Sequence, residues 1–288
     1  MKIVLISGGT KNNMNKKKVI SLAAVGIIGA IALSGASIAY FSDTKTATNT
    51  FTVGNVKIDL VEQQTVKGAD GEVTGLEAFV QNKVLKPGTS KDGNAVSKIV
   101  TIENTGENAA WVWVDLKVPA YLVSSDFKAE PHKDESMNAL HWNSYGHFTT
   151  EYNAGGKYAA SPISDGIIDE KDNVKDTNMV SVADGLWNDF KYVDTETIDG
   201  TEYVVVRATM EKTLPAGKTS LPALRQVYQD WRVQTSTDAD GNNIYTLPDG
   251  TTISADASWK VIVNAYAIQA DGIANVDAAI TAYANNGK

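Results

Sequence analysis

The chain has 288 residues, is 43% hydrophobic and 21% charged, and contains no cysteine and three histidines. That length holds one large domain or two small ones, the composition is globular, and the missing thiols exclude disulfides, thiolate metal sites and cysteine nucleophiles. Residues 1–39 carry five lysines and no acid, so Lys plus Arg falls from 26 to 21 against 34 acids in the remainder, near −13, which argues against nucleic acid and anionic lipid as partners.

Lys16, Lys17 and Lys18 precede "VISLAAVGIIGAIALSGASIA", Val19 to Ala39, and no charge returns until Asp43. A basic start, an apolar stretch and a small-x-small end describe a secretory signal peptide. Ser37 and Ala39 fill the −3 and −1 positions, which puts the cut between Ala39 and Tyr40. Residues 1–39 are therefore read as the signal, with Met14 as a cleaner start than Met1. The same run reaches the roughly 20 residues a bilayer needs, but Gly26, Gly29, Ser34, Gly35 and Ser37 weaken it as a permanent anchor. No stable membrane span is expected after cleavage.

Residues 40–60 follow as a Ser/Thr/Lys leader running into a strand. Val56, Ile58 and Leu60 share one face, and Lys57 and Asp59 the other. Asn49 to Leu60 thus reads as an amphipathic strand at the mature N-terminus. It either pairs within its own sheet or leaves its edge for another chain, since an exposed edge seeks pairing and strand addition is a known binding mode.

From residue 61 to 288 the pattern is one domain of period-2 segments broken by turns. Asp70-Gly71 is a hairpin signal, and Lys86-Pro87-Gly88 is another turn. "AVSKIVTIEN" sets Val96, Val100 and Ile102 on one face. "AWVWVDLKVP" sets Val112, Val114, Leu116 and Val118 on one face and Trp111, Trp113, Asp115 and Lys117 on the other. "YVVVRATM", "NNIYTLPDGTTI" with its Asp249-Gly250 turn, and "SWKVIVNAYAIQA" continue the series. Such spacing predicts a mainly β fold, an antiparallel sandwich or barrel. Two helices are expected: one in "SLPALRQVYQDWRVQ", from Leu221, Leu224, Val227, Tyr228 and Trp231, and one from Ile273, Val276, Ile280 and Tyr283. Between about residues 124 and 200 the pattern decays into a polar, aromatic-dotted stretch, read as a long insertion.

Catalytic motifs are scarce. No H-E-x-x-H is present. His141 and His147 would lie about 20 Å apart in a strand and, at about 600° of rotation, on different faces of a helix. Only a folded loop joins them at one zinc, with Glu130, Asp134, Glu135 or Glu151 as a third ligand. They are weak candidates beside the plainer reading of "HWNSYGH" as a polar loop; His132 completes the histidines. "DADGNN", Asp238 to Asn243, has acidic spacing like a calcium loop, but Asn243 stands where Gly is needed and Asp249 where Glu is. A hairpin tip explains it better, and no cofactor is expected. Trp111 and Trp113 either lie under a covering element, as large aromatics usually do, or form a subunit contact, where tryptophan is enriched.

Three blocks resemble the TasA/camelysin (CalY) family of exported, fibre-forming biofilm-matrix proteins of Gram-positive bacteria. They are "SIAYFSDTKTATNTFTVGNVKIDL", "LKPGTSKDGNAVSKIVTIENTGENAAWVWVDLKVP" (Leu85 to Pro119) and "WKVIVNAYAIQADGIANVDAAITAY" (Trp259 to Tyr283). The first is similar to substrates of the dedicated SipW-type signal peptidase. The resemblance implies a jelly-roll-type β-sandwich with flanking helices, secretion to the matrix or cell surface, and head-to-tail polymerisation with itself by donor-strand exchange. An accessory anchor protein is a further implied partner. The donor strand is then expected to use Phe51, Val53, Val56, Ile58 and Leu60, with a bulge near Gly54 because the first two differ in parity from the rest. The family also carries a metallopeptidase label, so a secreted zinc endopeptidase is the alternative, and a monomeric surface adhesin a third.

Overall fold

The computed structural model describes residues 39–41, 43–45, 56–88, 94–124, 127, 137–143, 167 and 174–286. Two large sheets share one core. The first, in spatial order, joins β10 (Lys191–Ile198), β11 (Thr201–Thr209), β8 (Ala110–Pro119), β16 (Val261–Gln269) and β2 (Asp43–Lys45). The second joins β4 (Val73–Ala78), β3 (Ile58–Lys67), β7 (Val96–Asn104), β12 (Leu224–Asp230) and β6 (Pro87–Gly88), with β9 (Leu140–Asn143) on β12. All these pairs are antiparallel except β16 with β2 and β12 with β6. β1 (Ala39–Phe41) pairs with β5 (Lys83–Leu85). A small meander of β13 (Gln234–Thr237), β14 (Asn243–Thr246) and β15 (Thr252–Ser254) follows β12. The helix α1 (Val276–Asn286) closes the described chain.

The alternation in β8 explains why it is central. Val112, Val114, Leu116 and Val118 are fully or almost fully buried. Leu116 sits between Val206 and Val263, and Val114 between Ala208 and Ala265. From the second sheet, Ile58, Val100, Ile102 and Leu224 enter the same cluster. Each such aliphatic side chain contributes roughly 1.5–3 kcal/mol of burial. The turns follow local chemistry. Asp199 and Gly200, both at positive φ (50° and 81°), make the two-residue connection of β10 to β11, as a primed hairpin turn requires. At the Asp249-Gly250 turn, Gly250 has φ 85° and the Asp249 carboxylate accepts from the N–H of Thr251.

Three expectations change. The helix foreseen over "SLPALRQVYQDWRVQ" is the strand β12. Leu224 and Val227 both join the core, and the register with β7 shifts between Leu224 and Gln226. A shifted register lets residues three apart both pack inward, which mimics a helical period. The long insertion ends sooner than residue 200, because Lys191–Ile198 is an edge strand of the first sheet and Leu140–Asn143 pairs with β12. Finally, Ile58 to Leu60 begin β3 and pair with Asn104 to Ile102 of β7 in their own sheet. Ile58 is 5% exposed, and Val56 and Leu60 pack against the core. Phe51, Val53 and Gly54 lie outside the described residues, so the bulge expected there does too.

Candidate functional site: the N-terminal strands and the edge they meet

The N-terminal segment is held by short pairings. Ala39, Tyr40 and Phe41 face Leu85, Val84 and Lys83. Asp43, Thr44 and Lys45 run parallel to Val261, Ile262 and Val263. The Ala39–Tyr40 bond, where signal cleavage is expected, therefore lies in β1, and Ser37 lies outside the described residues. β3 is different. It pairs with β7 from Ile58 to Gln63 and with β4 from Gln63 to Lys67.

The edge that β2 meets is only partly covered. β16 is paired with β8 from Ile262 to Gln269. On its other side, among the described residues, β2 covers Val261 to Val263, and no strand pairs with Ala265 to Gln269. Backbone N–H and C=O groups of such an edge are a template for a further strand.

The outer face of the first sheet is closed by α1. Trp113 is 1% exposed. Its ring stacks on Tyr266 at 5.6 Å and meets Tyr283 edge-on at 5.3 Å. Trp111 is half-buried and donates its indole N–H to the carbonyl of Ile273 at 3.1 Å. Of the two readings of this pair, cover by the chain's own helix holds for Trp113. Beside them Arg207 grips Asp115 with two hydrogen bonds of 2.6 and 2.7 Å. Burial opposes the Arg207 charge, but Asp115 wins and raises its pKa. Lys117 donates to Glu196 at 2.7 Å.

His141 has a structural role of its own. His141, 4% exposed in β9, has Nε2 at 2.9 Å from the Asp230 carboxylate, and its ring stacks on Tyr228 at 5.1 Å. Arg232 holds the same carboxylate through its guanidinium at 2.9 and 3.0 Å and its backbone N–H at 2.8 Å. Burial alone would raise the Asp230 pKa, yet the His141 and Arg232 hydrogen bonds hold it well below the usual carboxylate range. With its Nε2 turned to the Asp230 carboxylate, His141 fastens β9 to β12. His132 and His147 lie outside the described residues. Among the described residues no group of three or more His, Asp or Glu side chains is placed to hold a metal ion. Asp238 sits at the tip of the β13–β14 hairpin, accepting from the N–H groups of Asp240 and Asn242 and from the Asn242 amide; its acceptor atoms serve the turn.

Residues 43–45 went unforeseen as a strand, since "DTK" has no apolar face. Buried Glu62 and Lys98 had a legible sign: Glu62 shares the parity of Ile58 and Leu60, and Lys98 that of Val96, Val100 and Ile102. Among the described residues no helix is long and apolar enough to cross a membrane. Compared with known protein families and with curated proteins, the chain matches none.

Proposed function

We propose that this chain is a secreted structural protein that polymerises into extracellular biofilm-matrix fibres by donor-strand exchange. The observation that carries the reading is β2: a strand fastened by three parallel residue pairs to an edge that extends beyond it. A strand held so lightly exchanges at small cost, and a second copy offers the same edge. The donor is Tyr40 to Lys45 with the leader behind it, which replaces the Ile58 and Leu60 end of the expected donor, because those residues support the subunit's own core. Donor and acceptor are different surfaces, so the contact is head-to-tail, and where it does not close it builds a filament. The domain is a jelly-roll-type sandwich; a dedicated signal peptidase frees Tyr40, and an accessory anchor protein ties the fibre to the cell surface.

The test is electron microscopy of the purified mature protein, with its N-terminus sequenced. Filaments are expected from chains that begin at Tyr40. Removal of Tyr40–Lys45 leaves a folded monomer with an unchanged circular dichroism spectrum. A mature chain with Tyr40 at its N-terminus that stays monomeric at all concentrations sinks the reading.

A further inference from the structure

Lysine is almost never fully buried unless paired. Lys98 in β7 has 0% exposure, and so does the side chain of its partner, Glu62 in β3. The placement follows from register. Glu62 stands opposite Val100, and Gln63 opposite Ile99, so Lys98 and Glu62 are diagonal neighbours across two antiparallel strands, a separation long side chains bridge. Nζ of Lys98 reaches Oε1 of Glu62 at 2.8 Å. The ring of Phe79 covers the amine, 4.3 Å from Nζ to its centroid. The N–H of Phe79 donates to the carbonyl of Glu62 at 3.1 Å, so the cover is tied to the backbone it shields. Burial pushes the Lys98 ammonium down from 10.5 to about 7. Near neutral pH a large share of Lys98 is therefore a neutral amine, the nucleophilic form.

We propose that Lys98 and Glu62 condense into an intramolecular amide that cross-links β3 to β7. Within the pair one proton passes from the Lys98 ammonium to the Glu62 carboxylate, and the lone pair of the neutral Nζ attacks Cδ. The Nζ–Cδ bond forms, Nζ gives up one of its two protons to the departing carboxyl oxygen, one Cδ–O bond breaks, and one water leaves. The carboxyl proton and that one amine proton leave in the water while the other stays on the amide nitrogen, so no oxidant, metal or activated co-reactant takes part. Two features favour it here. The amine is held against the carboxyl before reaction, with Nζ 2.8 Å from Oε1, and holding reactants together removes much of the entropic barrier. The product is also uncharged, which suits a buried site where charge is costly. The bond would lie close to the leader, since β3 begins at Ile58, and would stop tension on the N-terminus from peeling β3 off β7. The inference stands on the pair itself and does not depend on the fibre reading.

The test uses the wild-type chain, so no variant has to fold. The purified protein is denatured, its amines are acetylated, and the digest is mapped by mass spectrometry. The expected result is a branched peptide joining the Glu62 and Lys98 segments, one water lighter than the two together, with Lys98 unacetylated. In Lys98→Met the Glu62 segment returns as a linear peptide of full mass. If Lys98 is acetylated as fully as the exposed lysines and both wild-type segments are linear at full mass, the cross-link is overturned.

Discussion

Two neighbouring segments, the leader strands β1 and β2 and the strand β3, are held in opposite ways. The leader strands have three residue pairs each, one set antiparallel and one parallel. β3 pairs along its whole length, with β7 from Ile58 to Gln63 and with β4 from Gln63 to Lys67, and carries a buried Ile58 and a buried ion pair. Local opening follows anchorage: segments with few buried contacts open at small free energy, and core strands open only with the whole domain. The described strands thus go from three residue pairs each in β1 and β2 to pairing along all of β3. A polymer built by strand exchange needs that change, because the donor has to leave without the body unfolding.

The comparison breaks first at β3. Ile58→Ala is expected to cost about 2–5 kcal/mol, read as a lowered urea midpoint, with filaments lost because the subunit itself is lost. If the midpoint stays put, β3 is no more anchored than the leader.

The next effect is a pH slope from Lys98 while it is still an amine. Its folded pKa, about 7, lies below its ordinary value of 10.5. Below pH 7 both states hold the proton and the slope is flat. Between pH 7 and 10.5 the unfolded chain holds the proton and the folded chain does not, so stability rises with pH through that window and levels off above it. Freshly refolded protein should show this rise relative to Lys98→Met in denaturant titrations. Fully cross-linked protein should not, because an amide does not titrate there.

A smaller effect belongs to the face under α1. Trp111→Phe removes the hydrogen bond to Ile273 and is expected to cost about 1 kcal/mol, measured by thermal melting, with hydrogen exchange rising in α1. Smallest for stability is removal of Tyr40–Lys45, expected to shift the unfolding free energy by less than about 1 kcal/mol. The same deletion should abolish filaments. A large loss of stability would show that the leader is part of the body.

Much of the sandwich was legible. The alternation of β8, the Asp249-Gly250 turn and the Val276, Ile280 and Tyr283 face of α1 are local patterns, and local patterns survive folding. β12 was not legible, because its helix-like spacing comes from a register shift against β7, and a register needs the partner strand. The covered state of Trp113 depended on Tyr283, far along the chain, folding back over it. Likewise the Asp230 that holds His141, and the Arg232 that holds Asp230, lie far along the chain and could not be read from the residues around His141.

By itself the sequence determined an acidic, cysteine-free, mainly β body behind a signal-like segment, because composition and a period of two are properties of neighbouring residues. Tertiary structure alone decided which N-terminal strand is loose and which is built in. It also decided that Lys98 and Glu62 meet in a buried interior. Both depend on the pairing of strands distant in sequence, where backbone hydrogen bonds and burial, not local pattern, choose the partner.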